Sequence, residues 1–323
     1  MRELLRRNAK LLGAFAAVYL IWGSTYLGIR YAIDSVPPFV MAGIRFLLAG
    51  GSLYGWSRLR GAPAPNGTQW KSAFILGSLL FLQGNGIVAW SEQRISTGLT
   101  ALLLTTIPLW MTLIGRFSVG GSPLTGKVAF GLILGLVGVL VLVGPRELAG
   151  ANRVDVLGTL ALLFASISWA IGSIYSRSAV LPSDRLQSAG MQMLGGGVLL
   201  LLAGGFTGEW PRVLAAHVTA RSALAIVYLS LFGSVIAFSA YLYLLRNTTP
   251  ARVSTYAFAN PLVALFLGWL FMGESLSPRS LIAAVCIFVA VALIMMPSEA
   301  LRLSRRSSSA RRFATLPANP DSR

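Results

Sequence analysis

Residues Leu11 to Ile33 read LLGAFAAVYLIWGSTYLGIRYAI, an apolar run with a single charge, Arg30. Wound as an α-helix it reaches about 35 Å, enough to cross a hydrocarbon core of roughly 30 Å. Arg2, Arg6, Arg7 and Lys10 precede it, as in a signal peptide. The run is too long for that, holds Trp22 and Arg30, and shows no clear cleavage site, so it reads as a retained membrane helix. Nine further apolar segments follow. They are Pro37 to Ser57, Trp70 to Ser91, Thr97 to Phe117, Gly126 to Gly144, Val156 to Ser176, Leu186 to Gly205, Ser222 to Leu245, Pro250 to Met272 and Ser280 to Met296. Short connections join them, several rich in Gly, Pro or Ser, as at Gly61 to Gly67 and Gly120 to Pro123. Strand-length alternation of the β-barrel kind is absent. The expected fold class is an all-α membrane protein of ten transmembrane helices.

Composition agrees. Hydrophobic residues make up 55% of the 323 and charged residues 11%. A soluble protein carries roughly 25% charged residues, so lipid must cover the apolar surface here. The formal charge of +17 would suggest nucleic acid in a soluble chain, but the basic residues stand in loops and tails and no basic patch is interleaved with aromatics. They set membrane orientation and touch anionic lipid at the basic termini. Of the 27 Lys and Arg, 19 lie in the tails and even-numbered connections, seven in the odd-numbered ones with Arg30, and Arg45 inside the second segment. The positive-inside rule therefore puts both termini in the cytoplasm.

The second half repeats the first. Trp22-Gly-Ser-Thr-Tyr26 aligns with Trp169-Ala-Ile-Gly-Ser173 at a shift of 147, which also sets Arg30 on Arg177, Ala42-Gly43 on Ala189-Gly190 and Gly50 on Gly197. At a shift of 153, Pro108 falls on Pro261 and Gly115 on Gly268. Five spans per repeat is an odd number, so the second copy enters from the opposite side. Inverted repeats are typical of secondary transporters, with the substrate near the midplane between the halves. The expected division is residues 1–147, 148–300 and a basic disordered tail, 301–323.

Five motifs carry a family resemblance: Ile21-Trp-Gly-Ser-Thr-Tyr26, Arg45-Phe46, Gly84-Asn-Gly86, Thr106-Ile-Pro-Leu-Trp110 and Gly273-Glu274. With them the chain resembles the drug/metabolite transporter superfamily in its EamA branch, and within it a group of bacterial inner-membrane members. The resemblance implies a 5+5 inverted repeat, a central cavity and export of small metabolites, amino acids or drugs across the cytoplasmic membrane. It does not fix the substrate. The sixth segment departs from the motif of the first, with Ala170-Ile171 where Gly23-Ser24 would stand.

Candidate substrate-binding residues follow from depth and facing. Trp22 lies about 16 Å into its helix, and Trp169 is equally deep from the other side, too deep for an interfacial belt. Tyr26 shares a face with Trp22. Such aromatics either stack on an organic solute or pack helices; Gly23 reads as close packing. Asn85 between two glycines faces a cavity or makes an interhelical hydrogen bond. Tyr256 and Asn260 share a face just before Pro261. Pro261 and Pro108 form a gating pair or two static kinks. Ser173, Ser239 and Tyr243 are weaker candidates. Arg45, whose repeat equivalent is Gln192, should face the protein interior and pair with Asp34 or Glu92, as a structural anchor or as a clamp for a substrate carboxylate. Gly131, Gly135 and Gly138 serve internal packing or a homodimer.

Other functions lack their residues. Every acidic residue lies in a tail, loop or helix end, so no midplane carboxylate relay is expected, which leaves coupling at the rim through Glu92 or Asp34 open. There is no phosphate-binding loop for ATP hydrolysis and no buried set for an intramembrane enzyme. The single cysteine, Cys286, excludes a thiol metal site, and no cofactor is expected. A passive channel or facilitator for small metabolites is the remaining alternative.

Overall fold

The computed structural model describes residues 2–95, 100, 103–118, 124–149, 155–215, 217–272 and 278–295. The tail 301–323, Gly273-Glu274 and the connection 119–123 lie outside them. Among the described residues all regular structure is helical: α1 Arg2–Ala32, α2 Pro38–Leu59, α3 Gly67–Ser91, α4 Ile107–Phe117, α5 Gly126–Ala149, α6 Val156–Tyr175, α7 Arg185–Phe206, α8 Glu209–Ala215, α9 Ala220–Asn247, α10 Pro250–Val253, α11 Tyr256–Met272 and α12 Pro278–Met295. Six are long and apolar enough to cross a membrane: α1 from Asn8, α2, α3, α6, α7 and α9. Shorter apolar helices, α4 and parts of α5 and α12, accompany them.

Polar residues fix the helix starts by capping backbone N–H groups that no turn precedes. Asn66 and Gln69 form a reciprocal box at α3. Asp155 accepts from Gly158 N at 2.8 Å, and Asp184 from Gln187 N at 2.7 Å. These two acids are therefore spent on capping. The Gly158 N–H, ahead of Arg94, holds the Asp155 carboxyl below its usual range.

Contacts between helix ends define two ends of the bundle. At one, Gln187 Nε2 donates to Pro63 O at 2.9 Å, and Arg177 Nη1 donates to Thr248 O at 3.2 Å. At the other, Ser222 Oγ donates to Tyr31 O at 2.7 Å, Arg94 pairs with Asp155 at 3.2 Å, and Glu209 Oε2 accepts from Val40 N at 2.9 Å. Since α1 finishes at the second, the first is the N-terminal end and the second the far end.

α2 lies against α7 at backbone contact. A Cβ on Gly50 would stand 2.8 Å from Gly190 O, and one on Gly190 would stand 2.7 Å from Tyr54 N. Small residues let membrane helices approach this closely, and dispersion then replaces the absent hydrophobic drive. The stripe in α5 is likewise internal: Gly131 and Gly138 meet Ile294 and Ile287 of α12, and Gly135 meets Phe258. Phe130, Ile133, Val285 and Phe288 are exposed, as a lipid-facing surface requires.

Two helices change pitch. α3 is π-helical over Gly77–Gly86 and α9 over Leu229–Ile236. Side chains join the widened turns: Asn85 Nδ2 donates to Leu80 O at 3.2 Å and Ser234 Oγ to Leu229 O at 3.1 Å, each five residues back. The fourth segment also differs from a continuous helix. A turn occupies Thr105 and Thr106, and α4 opens at Ile107 with Pro108 in its first turn. Proline has no N–H to give the preceding turn, so the helix restarts there. Pro261, by contrast, sits inside α11.

Candidate functional site

Four aromatic side chains from four helices meet in the middle of the bundle. Trp22 of α1 has ring centroids 5.7 Å from Trp169 of α6, 5.0 Å from Tyr241 of α9 and 4.8 Å from Tyr256 of α11. Tyr241 lies 5.7 Å from Trp169 and 5.8 Å from Tyr256. The pairs are tilted or edge-on, the arrangement that ring quadrupoles favour. Each indole N–H is satisfied, Trp22 Nε1 by Gly233 O at 3.0 Å and Trp169 Nε1 by the Tyr241 hydroxyl at 3.1 Å. Ser173 Oγ also bonds that hydroxyl and the Trp169 carbonyl. Toward the N-terminal end the packing is dense: Val18, Leu244 and Val253 are fully buried, and Tyr19 is hydrogen-bonded to Thr255.

On the far side of this layer lies a cavity of about 90 Å³. The first half of the chain supplies Tyr26, Ile29, Arg45, Phe81, Asn85, Val88 and Ile107 to its wall, and the second half supplies Ala165, Ser234, Phe238, Ala257 and Asn260. Both π-helical segments border it, through Gly84-Asn85 and Gly233-Ser234. π-bulges recur at functional sites because the wider turn frees backbone groups and re-aims side chains. Gly84 brings α3 against the Trp169 ring, where a Cβ would stand 2.8 Å away. The two prolines also act on the wall. Pro108 and Pro261 have no N–H to give the turn before them, and Leu104 and Ala257, four residues earlier, line the cavity.

Arg45 reaches this cavity from α2. It is 4% exposed, its Nε donates to Ser234 Oγ at 2.9 Å, and its guanidinium carbon lies 4.7 Å from the centroid of Phe46. The expected pairing with Asp34 or Glu92 does not form: the one ion pair among the described residues joins Arg94 and Asp155. The cation is held instead by a hydroxyl and a ring. Glu92 is buried beyond the end of α3, with Oε1 lacking a protein partner.

Of the residues expected from sequence, Trp22, Tyr26, Asn85, Trp169, Tyr256 and Asn260 come together at the cavity. Asn260 Oδ1 has no protein partner. Ser173 is fully buried behind the aromatic layer, and Ser239 lies outside the cavity wall with its Oγ unpartnered. Tyr243 also lies outside it, its ring 5.2 Å from the Arg185 guanidinium carbon. Gly23 packs as expected, since a Cβ there would stand 2.5 Å from Val263 Cβ. Sequence reasoning missed Tyr241, Ser234 and the two π-segments. A signal existed: Gly84-Asn85 and Gly233-Ser234 match at a shift of 149, a small residue followed by a polar one in the third span of each half.

The sequence matches the EamA-like transporter family twice, over residues 10–144 and again over 156–296. The chain belongs to the EamA-like transporter family. It is 39% identical over 294 residues to the inner membrane transporter YedA of Escherichia coli K12, a match covering 90% of this chain and 92% of that one. It is 25% identical over 279 residues to the transporter YoaV of Bacillus subtilis 168, covering 86% and 94%. In fold it is similar to a protein of known crystal structure, with a TM-score of 0.72, 20% identity, and coverage of 89% of this chain and 97% of that one. This EamA family member is thus a multi-pass membrane protein of transporter ancestry.

Proposed function

We propose that this EamA family member is a secondary transporter that exports small organic solutes, such as amino acids, metabolites or drugs, across the bacterial cytoplasmic membrane by alternating access. One observation carries the reading: a mid-bundle cavity walled by both halves of the chain and closed toward the N-terminal end by the layer of Trp22, Trp169, Tyr241 and Tyr256. A channel would need a continuous path, whereas a cavity shut on one side is what a transporter presents in one access state. The double family match supports two five-span repeats, 1–147 and 148–300, and ten spans in all. The loop charges support cytoplasmic termini, so the described state faces outward. The inner-membrane placement rests on the YedA relative. Trp22, Tyr26, Asn85, Trp169, Tyr256 and Asn260 contact the solute, Ser173 holds Tyr241, and Pro108 and Pro261 are the flexible points at the wall. A homodimer would use a face other than the α5 glycine stripe, which is occupied internally.

The test begins with metabolite profiles of cells with and without the protein. Solutes that differ are then assayed for counterflow in proteoliposomes. Saturable counterflow is expected. Flux that rises linearly with concentration and shows no counterflow would favour the passive facilitator instead.

A further inference from the structure

We propose that the cargo carries a carboxylate or an equivalent planar oxyanion, bound by the terminal nitrogens of Arg45; this rests on reading the cavity as the transport site. A guanidinium stays charged in any protein environment. Burying it without a counter-charge is costly, so an Arg that is 4% exposed and lacks a carboxylate implies a partner from outside. Its geometry is set for one. Nε is committed to Ser234, whose own hydroxyl is fixed by donation to Leu229 O, while Nη1 and Nη2 have no protein acceptor among the described residues. Gly233 leaves them room: a Cβ there would stand 2.9 Å from Nη2. An anchoring role alone needs only the Nε bond and gives no account of a guanidinium that lines the cavity.

The rest of the wall fits the same ligand. Among the described lining residues no acid stands beside Arg45, so an ammonium group gains no ion pair there and meets a like charge. The aromatic layer offers faces for an apolar body, and two parallel N–H donors match the two oxygens of a carboxylate. The cavity therefore distinguishes organic anions from organic amines of the same shape.

The experiment uses the purified full chain and three probes with one ring and different heads: benzoate, benzamide and benzylamine. Binding is read by tryptophan fluorescence quenching and by thermal stabilisation. Benzoate is expected to bind at least about tenfold tighter than benzamide, as a charge-assisted bidentate pair provides, and benzylamine weakest. In Arg45→Gln the ratio of benzoate to benzamide affinity should fall to about one, and Arg45→Lys should keep part of the benzoate advantage. Benzoate binding no tighter than benzamide, no benzoate binding at millimolar concentration, or an unchanged ratio in folded Arg45→Gln would each overturn the proposal. The wild-type series decides the matter even where a variant fails to fold. Counterflow separates this inference from its premise. Saturable transport that prefers amines overturns the anion site and leaves the transporter standing. Anion binding without counterflow of any anion overturns the transport reading and leaves the anion site standing.

Discussion

Trp22 and Trp169, which align at a shift of 147 in the sequence, touch edge-on at the centre of the bundle. Each is also tied by its indole N–H, Trp22 to the backbone of α9 and Trp169 to Tyr241. Replacing either with Ala should lower transport per folded molecule at least about tenfold, because a stacking wall is lost and a buried partner is orphaned. Phe should retain part of the activity, since one ring face remains while the N–H and the second ring are gone. A pure packing role would instead lower thermal stability in proportion to activity, and transport normalised to folded protein separates the two outcomes. Gly233 makes a different residue-scale prediction. Its Ala variant must push against Arg45 Nη2 at 2.9 Å and Thr25 Cγ2 at 3.1 Å, so destabilisation of about 1–3 kcal/mol is expected in thermal unfolding.

Between helices, two contacts set how rigidly the frame holds the site. Gly190 and Gly50 bring α2 and α7 together with backbone atoms in the way of any added carbon. Gly190→Leu should therefore separate the helices and abolish accumulation of folded protein, measured by monodispersity after extraction. Glu209 caps the start of α2 from α8, taking the Val40 N–H into its carboxylate. Loss of the cap in Glu209→Ala should cost about 0.5–2 kcal/mol. Burial outweighs the cap and pushes the Glu209 carboxyl above its usual range. A carboxyl with a raised folded-state pKa binds its proton more tightly folded than unfolded. Its contribution is therefore most favourable at low pH and declines as pH rises from the usual carboxylate range through the raised value. Glu209→Gln should remove that slope from a stability-against-pH profile while keeping part of the cap; an unchanged slope would place the titrating group elsewhere.

For the whole molecule, the aromatic layer divides a packed N-terminal end from a cavity reaching toward the far end. The proposed alternating access would require that layer to part while the far end closes. No acid stands in the layer or in the described cavity wall, so exchange of solute should persist in vesicles whose proton gradient has been collapsed. Complete arrest of exchange would instead point to the buried Glu92 at the rim. Cysteine accessibility tests the frame itself: reagents applied outside intact cells should fail to label either terminus, and labelling of one would overturn the ten-span topology.

Apolar run length, loop charge and the shift of 147 carry the membrane class, the segment positions and the repeat, because a helix in lipid must satisfy its backbone internally and advertises this in about 20 apolar residues. Depth along those runs also placed Trp22 and Trp169 near mid-span, since 1.5 Å per residue converts sequence position into height, and i, i+4 spacing added Tyr26 beside Trp22 and paired Tyr256 with Asn260. Rotation about the helix axis is a different matter. Whether Ser173 faces the cavity or lies behind Tyr241, and whether Arg45 meets Glu92 or Ser234, depends on which helices become neighbours and on local pitch. The π-turns in α3 and α9 change that pitch within single spans, turning side chains away from the faces that a regular 3.6-residue period assigns. Height in the membrane is thus a property of the chain, while the company each side chain keeps was decided only when the helices packed.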